Sequence, residues 1–161
     1  MIVPEPLTRK AFAPFGDVID SEGAEHFGIN DGTAERYDDL ARVDVAAEGG
    51  RPRISIFVAQ PRPRPVAIQM LERHPLGSQA FMPLDGRDYL LVVAPPGPNV
   101  RSADVRAFRA AGSQGVNFHR GVWHHPLLVL AADSRFLVVD RIATDANLDE
   151  MQLDTTLMLG V

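Results

Sequence analysis

The sequence predicts an all-β protein, a barrel or sandwich of short strands with few and short helices. Short segments rich in β-branched and aromatic residues recur along the 161 residues. Turn-forming residues separate these segments, and the chain holds 13 glycines and 13 prolines. This length and a hydrophobic content of 45% suit one core, so we expect residues 1–161 to form a single domain.

The N-terminal region contains the clearest helix signal. Thr8 can cap a short helix over residues 9–12, which Pro14 would prevent from continuing. Residues 20–33 are polar and contain the turn signal Asn30-Asp31-Gly32, so we expect a loop that includes His26. Residues 36–43 suit an edge strand or a binding face. Strands are predicted at residues 15–19, 54–59, 66–74, 79–84, 89–94, 122–130, 136–140 and 153–159.

The strand at residues 66–74 leads from apolar to polar side chains. Side chains alternate along a strand, so its even positions should share one face. Those positions are Val66, Ile68, Met70, Glu72 and His74. The pattern predicts a face that begins in the core and ends at a polar site.

The connections after this strand are less uniform. Asp85-Gly86 is typical of a tight hairpin between the strands at 79–84 and 89–94. Residues 104–110 suit a short helix or a strand equally.

Residues 115–127 hold three of the five histidines and the only tryptophan. Buried imidazoles need hydrogen-bond partners, so this density of His119, His124 and His125 indicates a site. If the strand starts near Val122, His119 lies before it, and we expect His119 and His125 to lie on different faces and one of them to be structural. Trp123 suits the core or a subunit interface.

Composition excludes several classes of function. A net charge of -5 without a basic arm disfavours nucleic-acid binding. No apolar run is long enough to span a bilayer, and the N-terminus lacks a signal-peptide pattern. The absence of cysteine excludes disulfides and thiolate chemistry and fits a reducing compartment. We therefore expect a cytoplasmic protein that binds neither nucleic acid nor membrane.

Two spacings resemble the motifs of cupins, the double-stranded β-helix barrels. Four residues have the spacing of the first cupin motif: Glu72, His74, Gln79 and Gly86. Glu72 stands where the motif has its first histidine, and Gln79 stands where it has a glutamate. His119, Gly121 and His124 have the spacing of the second motif, with His119 at the position of its proline. The resemblance implies a cupin-like barrel whose motif residues face inward.

The amino-acid sequence of these stretches resembles the ureidoglycolate lyase family more specifically. The resemblance lies in residues 72–81 (Glu-Arg-His-Pro-Leu-Gly-Ser-Gln-Ala-Phe) and residues 115–127 (Gly-Val-Asn-Phe-His-Arg-Gly-Val-Trp-His-His-Pro-Leu). Residues 15–19, 35–40 and 60–61 fit as well. Ile142-Ala143 depart from the glycines expected there.

The resemblance implies a homodimeric carbon–nitrogen lyase of purine (allantoin) breakdown. Its small-molecule substrate would be (S)-ureidoglycolate, which is split into glyoxylate and urea. A divalent metal such as nickel is implied for some members. Both metal-dependent and metal-free catalysis therefore stay open.

The chemistry selects candidate residues. Lysis removes the proton of the substrate hydroxyl and protonates the departing urea nitrogen, and groups that titrate near neutrality suit both transfers. We predict that His74, His124 and Glu72 are catalytic. With Gln79 they could also hold a metal. Without a metal, Gln79 would donate a hydrogen bond to the substrate.

The substrate carboxylate calls for a cation, and a bidentate arginine suits it best. Arg73 and Arg120 are the predicted substrate-binding arginines, and Arg36 and Arg141 stay open as alternatives. His119 and Tyr37 are further substrate-binding candidates.

Two other functions fit the same barrel. One is a metal-dependent isomerase or oxygenase acting on another small hydroxy acid, which would be expected to carry a fuller set of metal ligands. The other is a cupin that binds a metabolite without catalysis. Such sensors usually carry a DNA-binding domain, for which this chain has no helix-turn-helix pattern.

Overall fold

A computed structural model describes all 161 residues of the chain. It contains one short α-helix, fourteen strands and three 3-10 turns. In chain order the helix and strands are β1 Glu5–Pro6, α1 Arg9–Phe12, β2 Gly16–Ile19, β3 His26–Ile29, β4 Ala34–Tyr37, β5 Arg51–Ala59, β6 Val66–Arg73, β7 Gln79–Pro83, β8 Tyr89–Ala94, β9 Arg106–Ala110, β10 Gly115–Phe118, β11 Trp123–His124, β12 Leu128–Val129, β13 Ser134–Ile142 and β14 Asp149–Leu159. The 3-10 turns are Asn30–Gly32, Ala47–Gly49 and Ser102–Asp104.

The strands form two main sheets. One follows the order β1-β9-β8-β11-β6-β14, with β12 also paired to β8, and the other follows β2-β10-β7-β13-β5. From β6 onward the chain passes repeatedly from one sheet to the other, as in double-sheet jelly rolls and cupins. The predicted all-β, cupin-like barrel is confirmed. None of the helices is long and apolar enough to cross a lipid bilayer.

The strand β8 shows how two apolar clusters divide the core. Its residues Tyr89, Leu91 and Val93 pack against the five-stranded sheet. The alternating residues Leu90, Val92 and Ala94 belong to a second cluster, which also holds Trp123. Successive side chains point to opposite faces, so the central strand is buried on both sides. Trp123 is therefore a core residue, and its Nε1 donates to Gly97 O at 3.0 Å.

The predicted N-terminal helix is confirmed with its cap. Thr8 Oγ1 accepts a hydrogen bond from Ala11 N at 3.1 Å, which satisfies one of the free N–H groups of the first turn. His26, however, does not lie in a loop. It begins β3, which pairs with β4 in a separate two-stranded sheet.

Two other local predictions are wrong in part. Asp85-Gly86 forms a turn, with Gly86 at φ 68°, but β7 and β8 belong to different sheets and form no hairpin. The predicted strand at 122–130 is split into β11 and β12 around His125 and Pro126, because proline cannot donate to a sheet ladder. Residues 106–110 form the strand β9, one of the two structures that their sequence suits.

The strand β6 does not keep one side-chain alternation along its length. Ile68 and Leu71 are an odd number of residues apart, yet both pack in the second apolar cluster. This break in the alternation of β6 lies opposite an irregularity of β14, where the pairing register shifts between Gln152 and Leu157. The predicted face shared by Val66, Ile68 and Glu72 is therefore wrong, although Glu72 still points to the predicted site.

Candidate active site

The structure brings Glu72, His74 and His124 together. The residues His124 and Glu72 are direct partners in the pairing of β11 with β6. His74 follows β6 immediately. One ligand atom from each of the three side chains lies within 4.8 Å of the others. The two sequence stretches therefore meet, as predicted.

A turn at Gly121 joins these stretches. Its N–H donates to His74 O at 2.9 Å, so the backbone of one stretch is bonded to the other. Gly121 has φ 75°, a conformation that glycine adopts without a side-chain penalty. The strand β11 follows this turn, and the turn places β11 and its residue His124 beside β6.

The imidazole rings of His74 and His124 are each held by a hydrogen bond from Nδ1 to a backbone carbonyl. His124 Nδ1 donates to Val122 O at 3.0 Å, and His74 Nδ1 donates to Asn147 O at 2.9 Å, since a carbonyl can only accept. The ring of Phe118 stacks on that of His124 with centroids 4.4 Å apart and planes 9° apart. Both histidines consequently present Nε2 to the site.

The Nε2 atom of His124 is buried and has no hydrogen-bond partner. Glu72 Oε1 lies 3.6 Å away, beyond ordinary hydrogen-bond distance. Burial raises the pKa of Glu72, but the contact with His124 and the neighbouring histidines outweigh burial and hold this pKa below its usual value. The site thus combines an ionised carboxylate with an unpartnered imidazole nitrogen.

Gln79 connects His74 to a charged pair on neighbouring strands. Its Nε2 donates to Asp140 Oδ2 at 3.2 Å, which turns Oε1 towards His74 Nε2 at 3.1 Å. Arg53 Nε and Nη2 donate to the two carboxylate oxygens of the same Asp140, at 2.9 and 3.1 Å. A neutral His74 with its proton on Nδ1 would direct the lone pair of its Nε2 at a lone pair of Gln79 Oε1, and the two would repel each other. A cation bound by both atoms would relieve this repulsion.

Two cavities border this cluster. The first, of about 90 Å³, is lined by Glu72, Gln79, His124 and His125 together with apolar residues such as Phe57. Burial lowers the pKa of His125, so this ring is neutral at neutral pH. Sequence reasoning had left its role open, because strand alternation could not anticipate the break at Pro126.

The second cavity, of about 250 Å³, opens at His74 and is mainly polar. Its lining includes Arg53, Ser78, Asp140, Arg141 and Asn147. Sequence reasoning missed Arg53 entirely. Its only signal is a cross-strand pairing with Asp140, 87 residues away, which no local pattern shows.

The predicted substrate-binding arginines lie elsewhere. Arg73 bonds Asp149 at 2.9 Å and Gly97 O at 2.6 Å and lies 4.6 Å over the ring of Trp123. Arg120 is exposed, and its nearest acceptor is Pro75 O at 3.3 Å. Neither lines a cavity of the cluster, and their contact with substrate stays a prediction.

Three further candidates are also separated from the cluster. His119 is half-exposed and lies 3.2 Å from Asp17. Tyr37 packs on His26 in the two-stranded sheet, with ring centroids 5.0 Å apart, and Arg36 is paired with Asp38. The predicted contact of His119 and Tyr37 with substrate is not supported by their positions. Arg141 does line the second cavity, but its side chain is only 1% exposed and is held by Asp145 and Ala47 O.

Comparison with known proteins identifies the family. The sequence model of the family described as Ureidoglycolate lyase matches residues 1–160. The chain belongs to the ureidoglycolate lyase family. A ureidoglycolate lyase of Burkholderia mallei (strain NCTC 10229) is 56% identical over 155 residues, which cover 96% of this chain and 91% of that protein.

Other curated members of the ureidoglycolate lyase family are equally similar. The enzyme of Burkholderia cepacia is 60% identical over 93% of this chain and 85% of its own length. That of Azotobacter vinelandii is 56% identical over 91% of this chain and 88% of its own length. These relatives are enzymes by name, and the chain is accordingly a member of an enzyme family.

Among solved structures, oxalate decarboxylase of Bacillus subtilis matches 69% of this chain and 30% of its own length. The TM-score is 0.37 and the identity 13%. A likeness of this size carries no argument about the site.

Proposed function

We propose that the protein splits (S)-ureidoglycolate into glyoxylate and urea. The observation that carries this proposal is the buried, unpartnered Nε2 of His124 beside the ionised Glu72. Membership of the ureidoglycolate lyase family supplies the substrate. A place in purine breakdown belongs to the same proposal and is supported by the family resemblance, and a place in the cytoplasm is supported by the composition.

The reaction needs one proton to leave the substrate hydroxyl and one to reach the urea nitrogen. In the metal-free form, His124 Nε2 accepts the hydroxyl proton, while Glu72 stabilises the imidazolium that forms. The oxygen's electrons form the carbonyl of glyoxylate as the C–N bond breaks. The same proton then passes to the departing nitrogen, so urea leaves neutral and His124 is regenerated.

The residues also fit a divalent metal. Two imidazole nitrogens with free lone pairs, a carboxylate and an amide oxygen face one point, and each imidazole has its other nitrogen bonded to a backbone carbonyl, as is typical of metal-binding histidines. His74, His124 and Glu72 would hold the ion, with Gln79 Oε1 beside them. Such an ion would stabilise negative charge that develops on the substrate oxygens.

Elemental analysis together with chelation decides between the two forms. If a metal is required, the purified protein holds about one ion per chain and loses activity on chelation, and nickel or another divalent ion restores it. Full activity in a metal-free preparation overturns the metal-dependent form. The Glu72→Gln variant should bind less metal than wild type, because a carboxylate ligand is replaced by a neutral amide.

Incubation of the purified protein with racemic ureidoglycolate tests the activity itself. Equal amounts of urea and glyoxylate from one enantiomer support the proposal. Release of ammonia would indicate hydrolysis of the amide instead. Turnover of another hydroxy acid in place of ureidoglycolate would favour the isomerase or oxygenase, and binding without turnover would favour a sensor.

We further propose that the protein is a homodimer that joins along β5. This strand pairs only with β13 and forms an edge of its sheet. Its residues Ile54, Ile56 and Val58 share one face by alternation and are 71%, 54% and 51% exposed. An exposed apolar stretch on an edge strand invites pairing with another chain. An antiparallel pairing of β5 with its own copy about a two-fold axis would cover it.

A further inference from the structure

The polar cavity beside His74 contains hydrogen-bond donors that the reaction steps do not use. In the proposed reaction the substrate hydroxyl and urea nitrogen engage the Glu72–His124 side of the cluster, whereas this cavity lies on the His74 side. We propose that the cavity binds the carboxylate of the substrate and that Arg53 is the cation that recognises it. The identity of the substrate rests on the proposed function, but the recognition of a small carboxylate does not.

Arg53 is the cavity arginine with unused donors. Its guanidinium carries five N–H groups, and the pairing with Asp140 engages Nε and Nη2. Nη1 is left over, and the side chain is 45% exposed. Arg141, the other arginine of the cavity, is 1% exposed and makes four hydrogen bonds, to Asp145 and to Ala47 O. An incoming carboxylate can therefore reach Arg53 and not Arg141.

Two neutral donors line the same cavity. Ser78 Oγ accepts from Asp44 N at 2.8 Å, and this leaves its hydroxyl proton to donate. Asn147 Oδ1 accepts from Leu76 N at 2.7 Å, and this leaves its amide NH₂ group to donate. A carboxylate has about four acceptor positions, so Arg53, Ser78 and Asn147 together match its needs.

The position of the cavity suits the chemistry. Polar contacts link Arg53 through Asp140 and Gln79 to His74. Since the carboxylate and the hydroxyl-bearing carbon of ureidoglycolate are directly bonded, an anion held in this cavity places the reacting carbon at its His74 wall. Arg53 is thus a substrate-positioning residue rather than a group that moves a proton.

Binding of glyoxylate, measured by calorimetry or by competitive inhibition, tests the assignment. We expect Arg53→Gln to raise the Kd for glyoxylate roughly ten- to a hundred-fold, the usual range for a hydrogen-bonded charge. Arg53→Lys should restore part of the loss, because the charge remains without the bidentate geometry. Ser78→Ala should have a smaller effect. The matched control is Arg51→Gln, an exposed arginine on the same strand.

A neutral probe separates recognition of charge from damage to the fold. Wild-type protein should bind glyoxylate more tightly than its amide, and Arg53→Gln should lose this preference. A preference for glyoxylate that survives in Arg53→Gln would overturn the assignment, as would an equal effect of Arg51→Gln.

The two proposals fail in different ways. If the protein turns over ureidoglycolate and Arg53→Gln keeps wild-type KM and Kd values, the carboxylate site is wrong and the lyase function stands. If ureidoglycolate is not a substrate but glyoxylate binds with the expected dependence on Arg53, the carboxylate site stands and the proposed function is wrong.

Discussion

At the scale of single residues, His124 carries the proposed chemistry. It is 2% exposed, stacked on Phe118 and fixed by Val122 O, and its Nε2 atom is left free in the site. A buried polar atom without a partner costs stability, and such costs are typical of functional sites.

We predict that His124→Ala keeps the fold and loses activity on ureidoglycolate by at least about a hundred-fold, the lower range for general acid–base catalysis. Steady-state kinetics and circular dichroism measure the two properties. His119→Ala is the control, because His119 lies outside both cavities and should retain activity within a few-fold. Near-normal turnover in His124→Ala would remove the main catalytic assignment.

The sequence reveals some of these residues and hides others for a physical reason. Glu72, His74 and Gln79 lie within eight positions of one another, so local spacing was enough to group them. Arg53 and Asp140 meet only through pairing of β5 with β13. Arg73 and Tyr37 looked suitable by residue type, but the direction of each side chain depends on strand register, which composition does not show.

At the scale of elements, Asp17 joins β2, β10 and the segment before β5. Its Oδ2 accepts from Asn117 Nδ2 at 3.0 Å and from Arg42 N at 3.1 Å, and lies 3.2 Å from His119. Partial burial raises the pKa of Asp17, but these donors outweigh burial and lower it below its usual value.

A lowered pKa in the folded protein means that the unfolded chain binds a proton more readily. The resulting stability is present above about pH 3.8, the ordinary pKa, and is lost as the pH falls through the lower folded value. We predict that Asp17→Asn reduces the free energy of unfolding by about 1 to 2 kcal/mol at pH 7 and that the difference from wild type shrinks below pH 3.8.

Urea unfolding at several pH values measures this difference. The exposed Asp31 supplies the control, since Asp31→Asn changes a carboxylate at the surface and should leave stability unchanged. A constant difference between wild type and Asp17→Asn down to pH 2 would show that the carboxylate charge contributes nothing.

Elements with strong local signals were predictable, and those decided by distant contacts were not. The helix at Arg9–Phe12 followed from its cap and from Pro14, and β8 matched the predicted bounds. The turn at Gly86 was visible in the sequence, but whether β7 and β8 pair depends on which sheet each strand joins. β3 was missed because an isolated two-stranded sheet has no buried face to produce an alternating pattern.

At the scale of the whole molecule, the exposed edge β5 connects the proposed dimer with the proposed site. The outward residues of this strand include Ile54 and Ile56, whereas Arg53 and Phe57 line the two cavities from the alternating positions. A subunit contact along β5 would therefore stiffen the strand that carries Arg53. Assembly and recognition of the substrate carboxylate would then depend on one strand.

We predict that the double variant Ile54→Lys with Ile56→Lys is a folded monomer, because two charges on each copy would face each other across the interface. Sedimentation velocity measures the mass, with wild type expected as a dimer. Val3→Lys is the matched control, since Val3 is 72% exposed and lies away from β5. If the monomer forms, its KM should rise more than its kcat falls, because β5 bears Arg53 and not the reacting imidazoles. A double variant that stays dimeric would place the interface on another face of the barrel.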